Sequence, residues 1–247
     1  MTPEDENGAA AFFKAAAGAF ADTIRARRNR PELIGALCAQ SFEIFEKNVA
    51  IQAEGGPALA CAGECAACCH LRVVVTAPEA FLVARFVAVN NAAFLEQGVD
   101  LPRRIAETAR EVGSLSETQR LAAHRSCPFI EGDLCLAYRL RPLACRGHAA
   151  FDREACGEAV AGKDVEAAIS TPHLVVRSLT QNAMMLSLRA AGLAWGLYEL
   201  NRAIDIALSV PGALEKWVGG GDPLAEAAVA DLDLSDTARA FDAIAAG

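Results

Sequence analysis

Apolar residues recur along most of the chain at intervals of three and four, the spacing that places them on one face of an α-helix. Ala9 to about Arg28 reads as one helix. Pro31 opens a second, in which Leu33, Ile34, Leu37, Phe45 and Val49 keep helical spacing until Gly55-Gly56-Pro57 ends it. Thr76-Ala77-Pro78-Glu79 has the form of a capping box and starts a helix that runs to about Glu96, with Gly98 as its stop. Ser116-Glu117-Thr118-Gln119 repeats that signal and predicts a short helix. Thr171-Pro172 opens a long helical pattern through Leu174, Leu179, Met184, Met185, Leu188, Trp195 and Leu200, which ends before Pro211. Strand signal is confined to short pieces, the clearest being the apolar runs on either side of Gly132-Asp133, which fit a tight hairpin. Gly219-Gly220-Gly221 reads as a joint before a peripheral, alanine-rich tail over 222–247. The expected architecture is mainly α: a helical bundle of one domain over 1–247, with an irregular cysteine-rich insert over about 61–156, a helical C-terminal part over about 171–218, and at most a short hairpin.

Composition narrows the function classes. At 247 residues and 53% hydrophobic the chain can bury a sizeable core. A net charge of −8 argues against a phosphate-backbone binder, so nucleic acid is not an expected partner. Charged residues interrupt every apolar stretch well before the roughly 20 residues a membrane span needs, so no membrane is expected either. Met1 to Glu6 is acidic where a signal peptide carries positive charge, and the expected location is the cytoplasm.

The cysteines change the picture most. Cys61, Cys65, Cys68 and Cys69 fall within nine residues, and Cys127, Cys135 and Cys145 follow after a long interval. Disulfides are disfavoured in a long chain without a secretory signal, and adjacent cysteines such as Cys68 and Cys69 bridge each other only with distortion. As thiolates the same residues are strong ligands for zinc or iron. Cys65 and Cys68, two residues apart, can reach one metal through a tight turn. Cys68 and Cys69 fit two metals better, or one ligand and one buried thiol. Seven thiolates exceed a single tetrahedral site, so an iron–sulfur cluster or a pair of metal sites would use them more fully.

Cys61-x3-Cys65-x2-Cys68-Cys69, Cys127-Pro128-Phe129, Gly132-x2-Cys135, Tyr138, Arg141-Pro142 and Cys145-Arg146 together resemble the YkgJ-type cysteine-cluster family of zinc- or iron-chelating domains. The resemblance covers roughly Cys61 to Cys156 and implies metal chelation by Cys61, Cys65, Cys68, Cys69, Cys127, Cys135 and Cys145. It implies little about a reaction, although one relative in that grouping is a flagellin lysine N-methylase. The Cys61-x3-Cys65-x2-Cys68 spacing is also that of radical S-adenosylmethionine enzymes. Those carry an aromatic residue where this chain has Ala67, and they need a strand-and-helix alternation that the helical pattern does not supply.

Other residues near the cysteines have competing readings. His70, His124 and His148 lie close to them in sequence and His173 stands apart; each is more often a hydrogen-bonded loop histidine than a ligand. Arg72, Arg139, Arg141, Arg146 and Arg153 can balance a thiolate cluster or attract an anion to it. Cys38 belongs to a helical apolar face and reads as a small buried hydrophobe, Cys156 is evenly balanced between extra ligand and buried thiol, and Met184 and Met185 read as core. No glycine-rich phosphate loop, Ser/His/Asp arrangement or zinc-protease helix is visible. The leading expectation is a metal-chelating protein binding zinc or iron, with an iron–sulfur-dependent group-transfer enzyme and a helical scaffold with a structural metal as the alternatives.

Overall fold

The computed structural model describes residues 3–61 and 65–246. Among them are eleven α-helices: α1 (Pro3–Arg27), α2 (Leu33–Gln52), α3 (Ala77–Glu96), α4 (Leu101–Val112), α5 (Glu117–Ala122), α6 (Leu143–Gly147), α7 (Arg153–Val160), α8 (Thr171–Ala190), α9 (Leu200–Ser209), α10 (Ala213–Val218) and α11 (Leu234–Ala246). The strands form two short antiparallel pairs, β1 (Val74–Val75) with β4 (Tyr198–Glu199) and β2 (Ile130–Glu131) with β3 (Leu134–Cys135). The mainly α expectation holds. No helix is long and apolar enough to cross a membrane among the described residues.

Both capping boxes form. Glu79 Oε2 accepts from the Thr76 amide and hydroxyl, each at 2.8 Å, and the Ser116 amide reaches Gln119 Oε1 at 3.0 Å. The face of α2 read from the sequence is the buried one, with Leu33, Ile34, Leu37, Cys38, Phe45 and Val49 inside. Helix α4 carries no capping box but repeats the logic. Asp100 accepts from the Arg103 amide at 3.1 Å, and Leu101, Ile105, Ala109 and Val112 line its buried side.

The long helix read from 171 to 211 is two helices. After Ala190 the Leu193 amide bonds back to Leu188 O and the Gly192 amide to Arg189 O, both at 3.0 Å, with Gly192 at φ 66°. This is a Schellman stop, and only glycine takes that backbone without steric cost. The chain then runs extended into β4, whose Tyr198 and Glu199 pair with Val75 and Val74. Gly219-Gly220-Gly221 forms the same kind of stop on α10, through bonds from Gly221 N to Lys216 O and Gly220 N to Trp217 O, both at 2.9 Å.

Helix α1 packs along α8, α2 lies between α8 and α3, and α9 closes on α3 and α4. Phe20, Leu37, Val87, Ile105, Met184 and Trp217 sit at the centre with no more than trace exposure. The C-terminal segment contributes Leu224, Ala227 and Phe241 to the same core, and the Phe241 ring lies 6.0 Å from both Phe13 and Trp195. Helix α6, which carries Cys145, packs on α8, α2 and β1.

Candidate metal centre

Each cysteine segment is positioned by a different local device. Cys68 and Cys69 ride on a 3-10 turn, Ala67–His70, closed by bonds from Cys69 N to Ala66 O at 3.0 Å and Leu71 N to Cys68 O at 3.1 Å. Cys135 belongs to β3 of the expected hairpin, opposite Ile130, and Gly132 turns the chain at φ 60°. Cys127 precedes the hairpin, and its amide donates to Cys69 O at 2.8 Å, so the two segments are joined by backbone. Cys145 lies on α6, whose first amide, Leu143 N, is taken by Glu79 Oε1 at 2.7 Å. Cys156 lies on α7, capped by Asp152 through the Glu154 and Ala155 amides at 2.8 and 3.0 Å. Cys61 is held by Ala150, whose amide donates to its sulfur at 3.2 Å while Ala150 O accepts from Ala60 N at 2.9 Å. The residues between Cys61 and Cys65 lie outside the described ones.

All seven cysteines picked out by their spacing line one cavity of about 330 Å³. Two further sulfur and nitrogen donors line it as well, Cys156 and His148, with Cys156 Sγ 3.9 Å from His148 Nε2. Sequence spacing left Cys156 undecided and gave His148 no advantage over the other histidines. The signal that separates them is helical: α7 packs against the 3-10 turn and brings Cys156 to the cluster. His70 and His124 lie outside the cavity wall, with His70 Nδ1 3.2 Å from His124 O, and His173 is buried against Ser170 Oγ at 2.8 Å and the Phe45 ring. Cys38 is fully buried within α2, away from the cavity. Each of the nine cysteines is a free thiol.

Burial governs the thiols. It pushes Cys127 up to about 12 and Cys156 up to about 11, and moves Cys135 and Cys145 the same way. The amides of Phe129 and Ala137, two residues beyond Cys127 and Cys135, oppose that rise by hydrogen bonding to the sulfurs. Cys68 differs: the Cys69 thiol donates to its sulfur and lowers it to about 7, while Cys69, as donor, is raised. His148 is lowered by burial and by the nearby Arg177 cation, which favours the neutral imidazole whose free nitrogen can serve a metal.

Of the arginines near the cysteines in sequence, only some face the cavity. Arg72 and Arg141 line it, and so does Arg177 from α8, which lies outside the cysteine segments. Arg72 is engaged by Asp231 at 2.5 Å and Glu117 at 3.4 Å. Arg146 points elsewhere, bound to Glu46 at 2.5 Å and to the carbonyls of Arg139 and Arg141 at 2.7 and 2.8 Å, over the Phe42 ring. It fastens α6 to α2.

The donor chemistry of the cavity fits zinc or iron: soft sulfurs in excess, with a neutral imidazole beside them. The donors surround a space and do not meet at a point, for among the described residues no three His, Cys, Asp or Glu side chains form a closed metal-holding group. Residues 60–164 match the model of the CxxCxxCC family, described as "Putative zinc- or iron-chelating domain". The resemblance carried by the cysteines is thus matched over that segment, which the family description links to zinc or iron chelation. No curated protein and no solved structure matches the chain.

Proposed function

We propose that the cavity binds zinc or iron through Cys61, Cys65, Cys68, Cys69, Cys127, Cys135 and Cys145, with Cys156 and His148 completing the donor set. The observation that carries this reading is convergence. The 3-10 turn, the hairpin, α6, α7 and the loop segments carrying Cys61, Cys65 and Cys127 deliver eight thiols to one cavity, although Cys61 and Cys156 lie near opposite ends of the family segment. Free thiols brought together in this way, with Cys127, Cys135, Cys145 and Cys156 pushed up by burial, are poor packing groups and strong potential ligands. Binding a cation replaces their protons, so affinity rises with pH.

Eight thiols are more than one closed zinc site uses, which favours either two metal ions or an iron–sulfur cluster. Anaerobic purification followed by metal and acid-labile sulfide analysis tests the reading. Iron with proportionate sulfide and visible absorbance selects the cluster, and colourless protein with stoichiometric zinc selects thiolate sites. Protein that takes up neither metal after reduction overturns the proposal. A group-transfer enzyme is the second reading, and the observation that favours it is the apolar lining from Leu71, Val74, Ala144 and Leu174, of the kind small substrates occupy.

A further inference from the structure

Among the described residues, Arg141 and Arg177 are the two cations on the cavity wall with no carboxylate within hydrogen-bonding reach. Arg141 lies over the Tyr138 ring with its guanidinium carbon 3.7 Å from the ring centroid, and its Nε donates to Tyr138 O at 3.2 Å. Its two terminal nitrogens have no partner among the described residues. Arg177 is half-buried; one terminal nitrogen reaches Gln181 Oε1 at 3.3 Å, and its Nε is buried with no hydrogen-bond partner. A buried donor left unmet costs free energy, and a guanidinium fixed by ring stacking is already ordered for a planar partner.

The backbone around Arg177 is shaped to admit it. A Cβ placed on Gly147 would stand 2.6 Å from both Cβ and Cγ of Arg177, so the glycine at the end of α6 leaves the corridor through which the arginine stem passes to the cavity. The other cavity cation, Arg72, is neutralised by Glu117 and Asp231. Leu71, Val73, Val74, Ala144 and Leu174 give the cavity apolar lining beside the sulfurs, and Leu174 is exposed at 38%.

We propose that Arg141 and Arg177 form a carboxylate-binding subsite, through which the cavity takes a small organic acid with a short apolar body beside the metal. The guanidinium fork pairs two parallel N–H donors with the two carboxylate oxygens, and the apolar wall takes the rest of the molecule. The proposal rests on the metal reading for what lies next to the acid, and on the arginines alone for how the acid is held.

The test is calorimetric titration of anaerobically purified protein, at fixed ionic strength, with butyrate, butyramide and inorganic phosphate, the metal content being measured separately by mass spectrometry. Butyrate is expected to bind saturably and butyramide at least about tenfold more weakly, since the amide has lost the charge. Arg177→Met and Arg141→Met should each weaken butyrate about tenfold or more, and Arg177→Lys should recover only part of that, because an ammonium keeps the charge without the fork. Arg139→Met, an exposed neighbour outside the cavity, should leave binding unchanged. Equal butyrate affinity in the wild type and both methionine variants overturns the proposal, as do phosphate binding more tightly than butyrate and butyramide binding as well as butyrate. If Arg177→Met does not fold, Arg141→Met and Arg177→Lys decide the matter. Should the protein hold no metal, the metal reading fails separately, and butyrate binding to the metal-free protein that Arg141→Met abolishes still upholds the subsite; its absence there overturns it.

Discussion

The amide of Cys127 donates to the carbonyl of Cys69 over 2.8 Å, so a backbone bond joins two cysteine segments separated by α3, α4 and α5. One hydrogen bond contributes about 1 kcal/mol net, too little to hold a long closed loop against its entropy. The packing of α3 and α4 into the core supplies most of the rest, and a shared metal would tie the two segments further.

Removing the metal should therefore loosen the cysteine region before the bundle. In limited proteolysis, the expected first cuts after chelation fall at the exposed hairpin around Gly132, while the packed α1 and α8 resist. Unchanged cleavage at the hairpin after verified metal loss would count against a site shared by the two segments.

Serine at Cys65, Cys68, Cys127, Cys135 or Cys145 should reduce metal affinity by roughly tenfold or more, because a hydroxyl keeps much of the shape but is a poor ligand for a soft site. Cys38→Ala is the control, since Cys38 is fully buried away from the cavity. It should cost about 1 kcal/mol of stability and no metal. Metal retention equal across all six variants would remove the ligand assignment.

Glu79 is buried, and it caps α3 while also holding the first amide of α6. Glu79→Ala strands the Thr76 and Leu143 amides together, and should cost about 3 kcal/mol in urea unfolding at constant metal content. It should also weaken metal retention, since α6 carries Cys145. A loss under about 1 kcal/mol would show that water replaces the carboxylate at both amides.

Glu199 on β4 is buried, and burial raises its carboxyl above the usual range despite the Arg202 amide, the Asn201 side chain and the more distant Arg120 cation. A raised folded-state value means that the folded protein binds the proton more tightly, so this group's contribution is full below the unfolded value of about 4.3 and is lost as pH rises through the folded value. Glu199→Gln lacks that loss. The stability of the variant relative to the wild type should rise between about pH 4 and the raised folded value, read from urea midpoints across that range. A relative stability that falls with pH would mean that the carboxylate and Arg120 act as a net favourable pair.

Gly147→Ala should force the Arg177 stem aside at a cost of about 1–3 kcal/mol, the range for overpacking a filled site. Thermal unfolding measures this. A variant as stable as the wild type would show that Arg177 moves freely there.

Much of the helical layer was legible because its causes are local. Thr76 with Glu79 and Ser116 with Gln119 close their capping boxes within a few residues, and the apolar face of α2 follows from 3.6 residues per turn. The break between α8 and α9 was missed because the apolar spacing continues across Gly192. A single glycine in an apolar pattern does not reveal a left-handed stop until the Leu193 amide has its carbonyl. Helix α4 falls inside the helical stretch expected from about Thr76 to His124, but its own start is not legible, because its cap is a lone aspartate without the partner that marks a box.

The cysteines themselves determined what chemistry this protein can hold, since thiol softness and number belong to composition and spacing. Which donors share a space was decided only by the tertiary structure. Cys156 reaches the cavity because α7 packs on the turn that carries Cys68 and Cys69, and Arg177 reaches it because Gly147 leaves room for its stem. Spacing along a chain limits which neighbours can meet within a turn or two. Contacts between residues far apart depend on how whole helices bury their apolar faces, and that is a property of the packed core.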